Sequence, residues 1–325
     1  MLIDSARELK ARLSARLAEG FPLATASGLG GRPWTRPAIG LTPVAPGRAH
    51  LAIRVAVEDD ARVLLTGLDD VVRAEVDVRV TGPILPQARH RASPPPADLQ
   101  RRTRPLVPGL SVAHTAVSAG TLGGFVRLDG RLAVLSNNHV LAAEGAGAVG
   151  DAVLQPGPAD GGTAADRVAT LAAVAPLTDG PNRVDAAVAT LDEGVTAEPG
   201  DVPGGPLGAA VPDGLEVEPD EEVEKVGRTT GHTRGRITAV EVDGVAVQYD
   251  DGVHVFDDQI EIEGLSGAFS SGGDSGSVIW RSSDRAPLAL LFAGSGRGGR
   301  TGAGLTFASP LSTVLATLGV EWVAT

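Results

Sequence analysis

The 325-residue sequence contains no cysteine. That excludes a disulfide framework, a thiolate metal site and a cysteine nucleophile, and it fits a reducing compartment. Long apolar runs are missing too: nowhere do about 18 apolar residues follow one another, so no membrane span is expected. Asp4, Arg7 and Glu8 interrupt the N-terminal stretch before a signal-peptide core can form, and we expect a cytoplasmic protein. Positive charge is in deficit, with 28 Lys and Arg against 40 Asp and Glu and a formal net charge of -12. No general nucleic-acid partner is expected from such a balance.

What is present points to strands. Hydrophobic residues make up 42% of the chain, too many for a largely disordered one, and 43 Gly and 23 Pro separate short Val-rich runs. Ser5 and Glu8 have capping-box spacing, and Leu9, Leu13 and Leu17 recur until Gly20. Residues 5–19 are therefore expected to be an amphipathic helix, with Arg7, Lys10, Arg12 and Arg16 on its solvated face. Strand patterns at 51–57 and 72–80 flank a helical stretch at 59–68, giving a small α+β accessory domain over residues 1–82 in which no chemistry is legible. Residues 83–108 mix Pro83, Pro86, Pro94, Pro95, Pro96, Pro105 and Pro108 with arginines and read as an extended, cationic linker.

From residue 109 onward the texture is all-β. A hairpin is expected at Asp129-Gly130, and its second strand runs into Ser136-Asn137-Asn138-His139. Residues 192–224 carry carboxylates and prolines but no Lys or Arg, as an exposed connection between two folded halves would. Strand patterns return at 223–226, 235–242, 245–249, 253–256, 259–262 and 287–293. Ser309 as cap, Pro310 at the first turn and Gly319 as terminator bracket a C-terminal helix.

The glycine-rich stretch Gly272-Gly273-Asp274-Ser275-Gly276-Ser277 lies just before the apolar Val278-Ile279-Trp280. Such a turn presents a serine and lets a carbonyl approach main-chain N–H groups, but a serine needs a base and an orienting group. Of the histidines, His139 follows an apolar strand directly. His50, His90, His114, His232 and His254 lie in linker, turn or strand-border contexts and read as structural. Asp185 begins the apolar run Ala186 to Leu191, where a carboxylate would be partly buried and would need a partner such as an imidazole; Asp166 and Asp179 lie in loop-like contexts.

The blocks around His139, Asp185 and Ser275, in that order, resemble the signature blocks of chymotrypsin-like (trypsin-like) serine peptidases. Val226-Gly227-Arg228-Thr229-Thr230-Gly231 is similar to the Thr-Thr-Gly hairpin of the streptogrisin branch. Residues 106–325 as a whole resemble bacterial intracellular peptidases related to the plant narrow-leaf protein. Asn137-Asn138 before the histidine and Ser277 after the nucleophile depart from the pattern. The resemblance implies a mainly β fold of two antiparallel β-barrels, about 109–195 and 223–308, with a C-terminal helix and a preceding small α+β domain. It implies a serine endopeptidase with Ser275 as nucleophile, His139 as base and Asp185 as orienter, and with oxyanion donors at the N–H groups of Gly273 and Ser275. Phe269 would lie at the base of the specificity pocket and favour an apolar or small residue. Asp274 resembles the residue that pairs with a new N-terminus in relatives activated by cleavage. No metal or organic cofactor is implied, and the expected partner is a protein or peptide substrate. The other reading is an inactive relative that serves as a peptide-binding or adaptor module.

Gly294-Ser295-Gly296-Arg297-Gly298-Gly299-Arg300-Thr301 has nearly the spacing of a phosphate-binding loop. It has Arg300 where that motif requires Lys and no helix start after it, so it reads as a flexible loop beside the substrate pocket.

Overall fold

The computed structural model describes residues 1–19, 36–86, 97–208 and 217–324. His90 and the centre of the Pro/Arg stretch lie outside these. The N-terminal part comprises α1 (Ile3–Ala18), β1 (Ala38–Ala45), β2 (Arg48–Val55), α2 (Glu58–Leu65), α3 (Asp70–Arg73) and β3 (Val76–Val80), followed by the short β4 (Ile84–Pro86). Leu9 and Leu13 of α1 pack on Ile39, Leu51 and Ile53 of the strands, as the helical spacing predicts. The expected capping box does not form: the helix begins before Ser5, and Leu2 at its N-cap makes no side-chain cap.

Two β-systems follow. The first is an eight-stranded sheet in the order β20-β7-β8-β11-β10-β9-β5-β6. Its members are β5 (Ser111–His114), β6 (Gly120–Thr121), β7 (Gly124–Leu128), β8 (Arg131–Ser136), β9 (Ala152–Leu154), β10 (Arg167–Val174), β11 (Ala187–Leu191) and the C-terminal β20 (Glu321–Trp322), with the single-turn helix α4 (Asn138–Leu141) after β8. It curls around Val112, Phe125, Val134, Val140 and Leu171. Asp129 and Gly130 both have positive φ at the β7–β8 turn, the primed geometry expected of that dipeptide.

The second comprises β12 (Glu222–Gly227), β13 (Gly231–Asp243), β14 (Val245–Gln248), β15 (Val253–Phe256), β16 (Gln259–Gly264), β17 (Val278–Arg281), β18 (Pro287–Ser295) and β19 (Thr306–Pro310). Strands β12, β13, β16, β19, β18 and β17 pair in a closed antiparallel ring. The chain then enters α5 (Leu311–Leu318), which ends at Gly319 in the left-handed region. Pro310 is its N-cap, and the Ser309 hydroxyl donates to Gln259 Oε1 instead of capping the helix.

Three sequence expectations change. The α+β accessory part expected over residues 1–82 is joined to the barrel: β1 pairs with β13, so β3, β2 and β1 extend the barrel's own ladder. The described parts of 83–108 are not an extended spacer, because β4 lies between β14 and β18, and Leu106 is buried in the first core. The acidic connection also carries anchors, with Val202 and Leu207 buried in the core between the two β-systems. Proline and charge mark these stretches as irregular, but irregular chain still buries its few apolar side chains.

Candidate active site

The site forms at the junction of the two β-systems. Strand β8 delivers Asn137 and α4 at its C-terminal end, so His139 enters the junction from a helical turn whose other residues are all buried. Asp185 lies just before β11, beside that turn. Its Oδ2 is 2.5 Å from His139 Nδ1, and its Oδ1 accepts the His139 backbone N–H at 3.2 Å. The two asparagines before the histidine are tied down on either side: Asn137 Nδ2 donates to the Asp185 carbonyl at 2.6 Å and Asn138 Nδ2 to the Ala175 carbonyl at 2.8 Å.

Asp185 has one more partner, from the other side of the junction. Tyr249, immediately after β14, donates its hydroxyl to Asp185 Oδ2 at 2.7 Å. Burial alone would push the Asp185 carboxyl up. The neighbouring His139 and the hydrogen bonds from His139 and Tyr249 outweigh it and hold the carboxyl below its ordinary range. Burial, and then the charge of Asp185, push the Tyr249 phenol well above its ordinary value, so it acts as a donor. The tyrosine ring meets His139 edge-on at 5.8 Å and His254 at 5.4 Å.

Ser275 comes from the turn before β17. Its carbonyl accepts Thr121 N–H at 2.8 Å, and Thr121 Oγ1 donates to the Gly273 carbonyl at 2.8 Å. Ser136, three residues before His139, donates to the Thr121 carbonyl at 2.7 Å, so Thr121 ties the serine turn to the strand that carries the histidine. Gly276 has φ of 92°, and a Cβ on it would lie 2.0 Å from Ser136 Oγ. Only glycine fits this contact between the two β-systems. The Ser275 hydroxyl itself donates to the Phe292 carbonyl at 3.3 Å, not to His139. Among the described residues, His139 Nε2 is buried with no hydrogen-bond partner.

The rest of the turn is fixed internally. Asp274 is fully buried and accepts N–H groups from Ser271 at 2.9 Å, Thr229 at 2.9 Å and Thr230 at 3.1 Å, with the Thr230 hydroxyl at 2.7 Å. The fully buried Lys225 ammonium lies 3.4 Å from the same carboxylate. Every one of these partners is internal, and none is a chain terminus. Ser277, the other departure from the pattern, donates its hydroxyl to the Asp274 carbonyl at 2.7 Å and is absorbed into the turn. Gly273 has φ of 97°, and its N–H and that of Ser275 donate to no backbone acceptor among the described residues.

Phe269 is packed in the barrel core with Val223, Ile237 and Ile262, its ring 5.9 Å from the Lys225 ammonium. Asp166 is taken up by the Thr163 cap, and Asp179 is exposed. His114 pairs with Asp151, and His232 pairs with Glu224 and stacks on Trp280. The glycine-rich 294–301 loop is anchored: Arg300 N–H donates to Glu263, and Arg297 donates to the Ala56 carbonyl.

No protein-family profile and no curated protein sequence matches the chain. Solved structures do. The chain is similar to Thermobifida fusca Protease A at 18% identity, covering 67% of this chain and 98% of that one, with a TM-score of 0.47. It is similar to Cellulomonas bogoriensis chymotrypsin at 22% identity, covering 67% and 98%, with a TM-score of 0.44. A protease of M. tuberculosis matches at 20% identity over 72% of this chain and 91% of its own, with a TM-score of 0.38. All three are proteases.

Sequence reasoning missed Tyr249, Thr121 and Lys225. For Tyr249 a signal existed, since it is the only tyrosine in the chain and directly follows an apolar strand. Thr121 lies far along the chain and meets Ser275 only across the junction, and Lys225 meets the neighbouring Asp274 only through the barrel pairing.

Proposed function

We propose that the chain is a serine endopeptidase of the chymotrypsin-like family, acting through an acyl-enzyme. The observation that carries this reading is the convergence at one junction of the His139–Asp185 pair, with Nε2 left unpartnered, and the glycine-rich turn of Ser275. In the proposed cycle the Ser275 hydroxyl first turns from the Phe292 carbonyl to His139 Nε2; such hydrogen bonds often form only with substrate bound. Oγ then attacks the scissile carbonyl as His139 takes its proton, and the same proton goes to the leaving amine. A water repeats the sequence to free the acid. Asp185 holds the Nδ1–H tautomer and stabilises the imidazolium. The N–H groups of Gly273 and Ser275 receive the oxyanion; one such donor is worth roughly a hundredfold or more in rate. Phe269, whose ring is packed in the barrel core, brings no carboxylate to the proposed pocket, so apolar or small residues are favoured before the cleaved bond. The internal partners of Asp274 support a turn that is set without a newly cut N-terminus.

One observation favours the second reading, a peptide-binding module without activity: the Ser275 hydroxyl is committed to Phe292. Hydrolysis of a peptide library separates the two. We expect cleavage by the wild-type chain and none by Ser275→Ala. Equal turnover by both would remove Ser275 from the chemistry, and no cleavage alongside retained peptide binding would support the module.

A further inference from the structure

One edge of β18 has three successive neighbours. Strand β17 pairs with Pro287 to Leu290, and the serine turn continues along the same edge, with Gly276 N–H donating to the Leu291 carbonyl and Leu291 N–H to the Ser277 carbonyl. Ser275 Oγ then reaches the Phe292 carbonyl. Beyond Phe292 the edge belongs to β4, with Pro86 opposite Ala293, Leu85 opposite Gly294 and Ile84 opposite Ser295. The other edge of β18 is filled by β19.

We infer that Ile84–Pro86 is an internal occupant of the peptide-binding edge beside Ser275, so that the chain keeps its own site filled until this strand leaves. The inference rests on the peptidase reading for the use of that edge. Peptides bind exposed sheet edges as added extended strands, and a peptide presented to Ser275 along β18 must lie where β4 lies. The direction agrees: β4 is antiparallel to β18, so it runs from Ile84 toward the nucleophile and brings Pro86 next to the position of Phe292. Burial agrees as well, because Ser275 is 0% and His139 3% exposed, and a site acting on another chain must be reachable.

The occupant is also built to be displaceable. It has three residues, pairs with β14 at the single position Val247–Ile84, and ends in a proline that has no N–H to donate. On its N-terminal side Thr81 is anchored to the Val55 carbonyl at 2.9 Å, so β4 can leave while β1 stays on β13. Ile84 packs with Val247, Phe256 and Phe292, which defines the competing ligand as an extended peptide with an apolar side chain at that position. A tethered strand competes at an effective concentration on the order of millimolar, and a partner's apparent affinity falls by the fraction of chains with the edge open.

The absence of cysteine makes a clean test possible. Paired residues on neighbouring antiparallel strands have Cα separations within the range a disulfide spans. In the full chain, Leu85→Cys with Gly294→Cys locks β4 in place when oxidised and frees it when reduced. Ile84→Cys with Ser295→Cys is a second lock if the first fails to fold. Two readouts are taken: fluorophosphonate labelling, and anisotropy of a fluorescein-labelled peptide containing Ile-Leu-Pro. Reduced protein is expected to label faster and bind the peptide more tightly than oxidised protein, by about tenfold or more. Equal labelling and equal binding in both states would overturn the inference. Peptide binding that follows the lock while neither state labels would leave the self-occupied edge standing and remove the peptidase reading instead.

Discussion

Tyr249 is the residue whose role depends most on the fold. Its hydroxyl and the His139 ring converge on Asp185 Oδ2, so one buried carboxylate oxygen receives a donor from each side of the junction. Tyr249→Phe keeps the ring between His139 and His254 and removes only the hydroxyl. One buried hydrogen bond to a charged group is worth about 1.5–3 kcal/mol, so turnover is expected to fall by about tenfold or more. The variant also carries a pH signature. A carboxyl depressed in the folded state stabilises above its unfolded pKa, and that stability is lost as pH falls through the folded value. Without the tyrosine donor the folded value rises toward the ordinary one, so the acid loss of stability should be smaller and should be complete at a higher pH. Thermal melts of both proteins across the acid range check this, and coincident curves would argue against the role. His139, Asp185 and Ser275 were legible because each lies at a strand end or glycine turn next to an apolar run. Thr121 was not, because its partners lie across the junction, nor was Lys225, which meets Asp274 only through the strand pairing of the barrel; Tyr249 offered only its uniqueness and its place after an apolar strand.

At the scale of elements, strand positions were legible from alternation, but partners were not. The 13-residue β13 pairs with β12 and β16 in the barrel and with β1 outside it, and no periodicity announces that double use. Proline and arginine likewise disguised β4, whose three residues are too few to form a pattern. The contact of β2 with β16 shows why the outer strands are held. Arg54 of β2 is 1% exposed and Glu261 of β16 is 0% exposed; Arg54 donates to both Glu261 oxygens, with the Nη2 contact at 2.7 Å, and to Asp77 at 2.9 Å. Burial favours an uncharged Asp77, yet Arg54 and Arg79 hold its carboxyl below the ordinary range. Arg54→Met leaves the buried Glu261 with Arg79 at 3.8 Å as its remaining cation and is expected to destabilise by about 3 kcal/mol, whereas Arg54→Met with Glu261→Leu should recover most of that. Denaturant unfolding of the single and double variants measures both. A single variant as stable as the wild type would show that the pair does not hold the outer strands.

For the molecule as a whole, a mainly β chain with a C-terminal helix and an α+β start was readable from composition, turn residues and the order of the three blocks. That the outer strands extend the barrel's ladder, and that β4 continues the edge of β18 on which the serine turn lies, required the pairing itself. The described residues therefore act as one assembly. The α1–β3 part is held to the barrel by a ladder and a buried ion pair, and it presents β4 to the junction. Removing residues 1–82 would strip β1 from β13 and leave Glu261 without its cation, so such a truncation would disturb the barrel as well as the site. The central claim remains that Ser275 is a nucleophile activated by His139. The most direct measurement is the mass and position of a fluorophosphonate adduct on the full chain after long incubation. The account predicts a single adduct, mapped to Ser275, that disappears in both Ser275→Ala and His139→Ala; an adduct on another residue, or one at Ser275 that persists in His139→Ala, would contradict it.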